Sequence, residues 1–276
     1  MSYSNCHTHT VFCDGKNTPE EMAQAAFESG CTCLGFSVHS PMSTGADWTI
    51  TPDRLPDYTA EIRRLQKQYA GKLEILHGIE LDRNFANVNP ADFDYVIGAV
   101  HQIVKNGHVY DVDYTREMLA DCAEKEFGGD FLALAKHYYD DFAAYVCEIK
   151  PTIVAHFDLI EKFNEDQTLF STDDPAYQQL ATAAADRILD ESPEILFEVN
   201  TGAMYRLGKA HPYPMPFLLE HLQRRGARVI ITADAHCTDA LLFAFNEARA
   251  ACERANLTVF ELRRKNGKAV ICNALF

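Results

Sequence analysis

Short apolar runs alternate along the chain with longer segments in which apolar residues recur at helical spacing. The short runs have the length of buried β-strands and are bounded by polar and turn-forming residues. The predicted strands are residues 3–6, 33–38, 73–79, 95–100, 152–155, 195–199 and 228–232.

The longer segments predict helices. Thr18, Pro19 and Glu21 form a capping box with proline at the first helical position, which is typical of a helix start. We expect this helix to run to about Ser29, with Gly30 as its stop. Further helices are predicted over residues 52–69, 114–126, 130–148, 174–191, 214–225 and 239–255.

Strands that alternate with helices predict a parallel sheet with right-handed crossovers. Each predicted strand is followed by a residue that could take part in chemistry: His7, His39, Glu80, His101, His156, Asn200 and Asp234. A closed barrel brings the carboxyl ends of its strands to one face, whereas an open doubly wound sheet spreads them along a line. The sequence therefore predicts an α/β fold, a distorted barrel of about seven strands, in a single domain over residues 1–276.

Composition and charge limit the kinds of molecule that this protein could bind. Hydrophobic residues make up 47% of the chain, as in ordinary globular proteins. The net charge of −15 argues against broad nucleic-acid binding but permits an anionic substrate beside bound metal. Neither a membrane span nor a secretory signal is predicted, and nine cysteines, an odd number, favour reduced thiols in a cytoplasmic protein. The oligomeric state stays open.

Two motifs have the spacing of metal ligands. His7 and His9 are two residues apart on a predicted strand, so both side chains point the same way, and Asp234 and His236 repeat that spacing. Asp14 follows on a turn. A histidine pair of this kind can be incidental, and a histidine at the end of an apolar strand is more often an ordinary core residue.

Histidines and carboxylates occur together at the ends of consecutive predicted strands, and this combination favours a metal site at the C-terminal ends of the strands. Imidazole and carboxylate ligands suit divalent transition metals such as zinc, manganese or iron. The candidate ligands are His7, His9, Asp14, His39, Glu80, His101, His156, Asp234 and His236. Nine ligands exceed what one zinc ion takes, so two or three ions are expected. Such a site can produce a metal-bridging hydroxide, the apparatus of a hydrolase.

In this order the motifs resemble the PHP superfamily (polymerase and histidinol phosphatase). They are H-x-H, D-G, S-x-H-S-P, G-I-E-L-D, G-A-V-H, A-H-F-D and D-A-H, and the likeness covers residues 5 to about 240. The spacing is most similar to the histidinol-phosphate phosphatase branch. The resemblance implies a distorted (β/α)7 TIM-like barrel and three divalent metal ions. Val38 and Ala233 depart from the branch, which usually has aspartate and serine at these positions, and Val38 removes an expected partner of His39.

The resemblance also implies roles for the ligands. His7, His9, Glu80 and Asp234 would hold a first metal. Glu80 would bridge to a second metal held by His101 and His156. Asp14, His39 and His236 would hold a third.

Two basic residues are candidates for contact with a phosphate. The resemblance implies Arg206 as a catalytic and substrate-binding residue, and Lys162 is a second candidate, with a solvated surface charge as the alternative for each. Asp234 could also relay a proton to the leaving group.

The predicted activity is hydrolysis of a phosphate monoester, with L-histidinol phosphate as the first choice, which implies a role in histidine biosynthesis. Two alternatives remain at this stage. One is a related phosphoesterase that acts on a nucleotide or phosphotyrosine, and the other is a non-catalytic metal-binding module.

Overall fold

Eleven strands and eight α-helices occur in the residues that the computed structural model describes, 3–265 and 268–274. The strands are β1 (Tyr3–Asn5), β2 (Cys31–His39), β3 (Glu74–Asp82), β4 (Tyr95–Ala99), β5 (Gln102–Lys105), β6 (His108–Asp111), β7 (Ile153–Val154), β8 (Leu196–Asn200), β9 (Arg228–Thr232), β10 (Val259–Lys265) and β11 (Lys268–Asn273). The helices are α1 (Pro19–Glu28), α2 (Leu55–Gln68), α3 (Arg116–Phe127), α4 (Phe131–Ile149), α5 (Pro175–Glu191), α6 (Gly202–Leu207), α7 (Pro216–Arg224) and α8 (Phe245–Arg254).

The seven predicted strands form a parallel sheet in the order β1-β2-β3-β4-β7-β8-β9. α-Helices link successive strands of this sheet except β3 and β4. The capping box predicted at Thr18 is present: the Thr18 side chain accepts from the backbone N–H of Glu21, and the Glu21 side chain accepts from the backbone N–H of Thr18. The predicted α/β fold is confirmed. Its parallel order brings all seven carboxyl ends to one side of the molecule.

The two edges of this sheet meet beyond the ends of β1 and β9. Thr8 and Ala235 form one parallel bridge, with hydrogen bonds from His9 N to Ala235 O (2.8 Å) and from Ala235 N to His7 O (3.1 Å). Among the described residues this bridge is the whole of the β1–β9 pairing. The sheet therefore closes only at the face that carries the predicted ligands.

Strand β10 explains why closure stops there. It pairs with the edge of β9 that β1 would otherwise take, with Val259 opposite Val229 and Phe260 opposite Ile230. It then turns into an antiparallel hairpin with β11, and Leu262 is buried with the inward residues of the barrel. The hairpin thus fills the amino-terminal part of the gap and distorts the barrel.

Tyr95 occupies the barrel interior next to two glycines. A Cβ atom at Gly35 would lie 2.3 Å from the Tyr95 hydroxyl, and one at Gly78 would lie 2.2 Å from the ring. The hydroxyl donates to the carbonyl of Cys6 at 2.6 Å and lies 3.2 Å from that of Phe36. Tyr95 therefore ties β1 and β2 together immediately before the first candidate ligand.

The structure differs from the predicted elements in four places. The hairpins β5–β6 and β10–β11 and the short helix α6 were not predicted. The helix predicted over residues 239–255 begins only at Phe245, because Ala244 adopts a left-handed backbone with φ of 56°. Within the described residues, no helix combines the length and the apolar character needed to cross a membrane.

Candidate metal centre

The nine predicted ligands come together at the carboxyl ends of the parallel strands. His39 and Glu80 lie in β2 and β3, and the other seven lie in the loops after strands. Side chains within ligand distance of one another form four groups: His7–Glu80–His156, His7–His9–Asp234, His39–Glu80–His101 and His9–Asp14–His39–His236. Every predicted ligand belongs to at least one group. The prediction that these residues converge on one face agrees with the geometry.

Glu80 is the centre of the arrangement. Its side chain is fully buried and meets five imidazoles. The distances are 3.2, 3.4 and 2.8 Å from Oε2 to His7 Nε2, His9 Nε2 and His39 Nδ1, and 3.1 and 3.5 Å from Oε1 to His156 Nε2 and His101 Nε2. One carboxylate with both oxygens directed at separate imidazole groups has the form of a bridging ligand.

A second group lies nearer to solvent, around Asp14. Its carboxylate is 3.6 Å from His39 Nε2 and 3.1 Å from His236 Nε2. The ring of His9 is stacked between those two imidazoles, with centroid distances of 4.1 and 4.3 Å. A Cβ at Gly15 would lie 2.4 Å from the backbone of Thr10, so the D-G motif needs glycine to hold Asp14 this close.

Two buried carboxylates that sequence reasoning had not assigned orient the ligands. Glu198 accepts from His7 Nδ1 at 2.6 Å and from the backbone of His156 at 3.0 Å. Asp82 lies 3.0 Å from His101 Nδ1. Carboxylates that fix the tautomer of ligating histidines are the usual second layer of a metal site. A signal was present, since each is an acid inside or at the end of an apolar strand and needs a partner when buried.

The donor atoms fit divalent metal ions. His7 Nε2, His9 Nε2 and Glu80 Oε2 are buried side-chain atoms with no hydrogen-bond partner, although they converge on each other. Buried polar atoms are almost always paired, so this cluster of unpaired acceptors requires an explanation. Imidazole nitrogens and carboxylate oxygens at such spacing match a divalent transition metal site.

The electrostatics favour the protonation state that metal binding requires at Glu80 and His9. At His7, His39 and His101, burial lowers the pKa, but neighbouring carboxylates, Glu80 among them, outweigh it and raise the pKa. Burial raises the pKa of Glu80, but His7, His39 and His101 outweigh it and hold that pKa well below the ordinary value. Burial, together with the neighbouring His39 and His236, lowers the pKa of His9 to about 3. An ionised carboxylate and a neutral imidazole are the forms that coordinate metal.

Arg206 reaches the site from helix α6. Its guanidinium donates to Asp234 Oδ2 at 2.8 Å and to the Asp234 carbonyl at 3.0 Å. A Cβ at Gly202 would lie 3.0 Å from Arg206 Nη2, so glycine at that position leaves room for the arginine to fold back. Burial raises the pKa of Asp234, but Arg206 and then His7 hold it well below the ordinary value.

Lys162 also reaches the site, but it is paired with an acid. Its Nζ donates to the carbonyl of Asp113 at 2.8 Å and lies 3.0 Å from Asp113 Oδ2. Sequence reasoning did not foresee this partner, because Asp113 lies 49 positions away beyond an unpredicted hairpin. Both predicted phosphate contacts thus line the site, and their role stays a prediction.

The two departures from the phosphatase pattern lie in the packed interior. Val38 belongs to the hydrophobic core, and His39 Nδ1 faces Glu80 instead of a neighbouring aspartate. The backbone of Ala233 donates to Asn5 Oδ1 at 3.2 Å.

A cavity of about 330 Å³ opens above the ligands. Its lining includes candidate metal ligands together with Arg206. The other lining residues are Asp47, Trp48, Asp111, Asp113, Tyr114, Leu159 and Lys162. The volume is at the lower end of the range for small-molecule sites.

A protein-family model and a relative of known name both match most of this chain. Residues 5–202 match the PHP domain model. A protein of Deinococcus radiodurans named "Probable histidinol-phosphatase" is 31% identical over 252 residues, covering 88% of this chain and 89% of that protein.

Two solved structures share the fold. A protein of Listeria monocytogenes superposes with a TM-score of 0.73 at 20% identity, over 88% of this chain and 99% of that chain. The histidinol phosphate phosphatase of Lactococcus lactis, solved with zinc, L-histidinol and phosphate, gives a TM-score of 0.66 at 18% identity, over 98% of this chain and 100% of that chain.

Proposed function

The chain belongs to the PHP domain family, and from that membership we propose that it is a metal-dependent phosphatase that converts L-histidinol phosphate to L-histidinol and phosphate. The observation that carries the proposal is the convergence of nine imidazole and carboxylate side chains beneath a small cavity. The Deinococcus relative and the Lactococcus structure, which contains L-histidinol and phosphate, support the choice of substrate. A cytoplasmic place in histidine biosynthesis, with residues 1–276 as one domain, is part of the same proposal.

The ligand groups support three divalent metal sites. His7, His9, Glu80 and Asp234 would hold the first ion. Glu80, His101 and His156 would hold the second, and Asp14, His39 and His236 the third. Bound ions of zinc, manganese or iron would supply an activated water molecule and positive charge opposite the phosphoryl oxygens.

The protein's own residues would bind and orient the phosphate. Arg206 is held in place by Asp234, and its planar guanidinium suits two phosphoryl oxygens at once. Lys162, which also lines the cavity, would add a second positive charge. Asp234, kept ionised by Arg206 and His7, would accept the proton that the attacking water loses and pass it to the leaving alkoxide, which departs as the alcohol.

A substrate screen tests the assignment. Protein reconstituted with Zn²⁺, Mn²⁺ or Fe²⁺ is assayed with L-histidinol phosphate, a nucleoside monophosphate and phosphotyrosine. We expect L-histidinol phosphate to have the highest kcat/KM in at least one metal form. A higher kcat/KM for the nucleotide or for phosphotyrosine would overturn the substrate assignment, and no turnover of any ester by metal-loaded protein would indicate a binding module instead.

A further inference from the structure

The cavity lining includes acidic and aromatic residues that are not metal-ligand candidates. They come from two short segments: residues 47–48 before helix α2, and residues 111–114 at the end of the hairpin β5–β6. We call Asp47, Trp48, Asp111, Asp113 and Tyr114 the acidic wall. None of them belongs to the nine candidate ligands.

The acidic wall keeps negative charge that the protein does not neutralise. Among the described residues, the cations that line the cavity besides histidines are Lys162, paired with Asp113, and Arg206, paired with Asp234. Asp47 and Asp111 form no ion pair within the described part of the chain. The cavity lining therefore includes two carboxylates, those of Asp47 and Asp111, that pair with no lysine or arginine among the described residues.

Asp111 accepts a hydrogen bond from a buried neighbour. Gln102, directly opposite it in the β5–β6 ladder, is 4% exposed and donates from Nε2 to Asp111 Oδ1 at 2.8 Å. Gln102 Oε1 is itself buried without a hydrogen-bond partner. Burial raises the pKa of Asp111, and the carboxylate of Asp113 adds to that rise. A fixed, partly desolvated carboxylate of this kind is stabilised by a cation placed beside it.

Aromatic rings accompany the carboxylates. Tyr114 lines the cavity and is 69% exposed, an unusual state for a large ring. Trp48 lies edge-on to His39 and His101, with centroid distances of 4.8 and 5.3 Å, so it also borders the metal centre. Aromatic faces next to acids attract organic cations and flat rings.

We infer that the acidic wall selects phosphate monoesters whose alcohol carries a protonated amine, by binding that cation while the phosphate faces the metal ligands and Arg206. The inference rests on the proposed phosphatase function and assigns its specificity to Asp47 and Asp111. A second phosphate or a carboxylate on the alcohol would be repelled by the same wall. We therefore expect nucleoside diphosphates and acidic phosphopeptides to be poor substrates.

Steady-state kinetics of Asp111→Asn and Asp47→Asn test the wall. The metal-loaded protein is assayed with L-histidinol phosphate, whose alcohol is cationic, and with phenyl phosphate, whose ring is uncharged. Loss of one charge-assisted contact should lower the ratio of the two kcat/KM values about tenfold in each variant, mainly through the KM for L-histidinol phosphate. Asp173→Asn, an exposed aspartate elsewhere on the surface, is the matched control and should leave the ratio unchanged.

A binding experiment separates the wall from the catalytic function. Calorimetry measures the Kd of L-histidinol and of inorganic phosphate for the wild type and for each variant. We expect the Kd of L-histidinol to rise about tenfold and that of phosphate to change far less. The inference is overturned if the variants keep both the wild-type ratio of kcat/KM values and the wild-type Kd of L-histidinol. It is also overturned if kcat/KM falls equally for both esters and the Kd rises equally for both ligands. If the wild type hydrolyses neither ester, the proposed function fails, while the L-histidinol Kd values still decide whether the wall binds a cation.

Discussion

At the scale of single residues, the strongest expectation concerns His101. His101→Ala removes one imidazole from the Glu80 group, and Asp82 loses its side-chain partner but keeps the backbone donors of residues 101 and 84. We expect metal content to fall and kcat to drop at least about a hundredfold, because a ligand of a catalytic metal is lost. Elemental analysis and steady-state kinetics measure both, with circular dichroism to confirm the fold. His137→Ala, on helix α4, is the control, and unchanged metal content and kcat in His101→Ala would show an ordinary core histidine.

Arg206 tests the phosphate assignment. Arg206→Ala should lower kcat/KM about ten- to a hundredfold, because charge-assisted contacts contribute roughly 1.5–3 kcal/mol. Arg206→Lys should restore activity only in part, since an ammonium cannot reproduce the planar fork. An unchanged kcat/KM for every phosphate ester would remove Arg206 from the substrate site.

Because Arg206 also contacts the candidate metal ligand Asp234, metal content should be measured in the Arg206 variants as well as kcat/KM. If metal content falls together with kcat/KM in Arg206→Ala, the arginine acts through Asp234 and not through phosphate. If metal content holds while kcat/KM falls, the direct contact is supported. Lys162→Ala, assayed in parallel, shows how much of the binding a second cation carries.

The candidate ligands could be predicted from sequence because each one ends or follows an apolar strand, where a polar residue stands out. Glu198 could not be assigned in the same way, since it lies inside a predicted strand and its partner His7 is 191 positions away. Lys162 was predicted as a phosphate contact or a solvated surface charge, and its pairing with Asp113 could not be predicted because the two residues become neighbours only in three dimensions.

At the scale of elements, the packing of Tyr95 against two glycines predicts a sensitive position. Gly78→Ala would place a methyl group 2.2 Å from the Tyr95 ring in the buried interior. Overpacking of this kind should lower the free energy of unfolding by about 1–3 kcal/mol, measured by urea denaturation. Tyr95→Leu provides the matched background: there, the same glycine substitution should cost clearly less. If Gly78→Ala lowers the free energy of unfolding equally in the wild type and in Tyr95→Leu, the added methyl group does not clash with Tyr95.

The parallel strands could be predicted from the sequence. The two hairpins were not predicted, although the β5–β6 hairpin contains a sequence pair typical of a tight turn. Asn106 and Gly107 both have positive φ values, 52° and 83°, which is the two-residue turn that an Asn-Gly pair favours between strands. The flanking strands are only four residues long, with exposed valines, so they lack the apolar pattern used to find the others. This hairpin matters because it carries Asp111 to the cavity.

At the scale of the whole molecule, metal removal should affect both activity and stability. Chelation should abolish hydrolysis, and return of metal should restore it in proportion. An ion that binds only the folded state stabilises it by about 2.7 kcal/mol at a hundredfold excess over its Kd. For a chain of this size that corresponds to a fall in Tm of roughly 5–10 °C on metal removal, measured by calorimetry. Full activity and an unchanged Tm in protein shown to be metal-free would contradict the metal centre.

The closure between the loops after β1 and β9 has a consequence during synthesis. His7 and His9 are synthesised more than two hundred residues before Asp234, Ala235 and His236. Ala235 fixes their backbone, and Asp234 and His236 share their ligand groups. Between these two points of synthesis, a nascent chain carries only part of the ligand set. Assembly of the native centre is a late event that reports completion of the parallel sheet, and the order of translation itself delays metal loading until the correct partners are present.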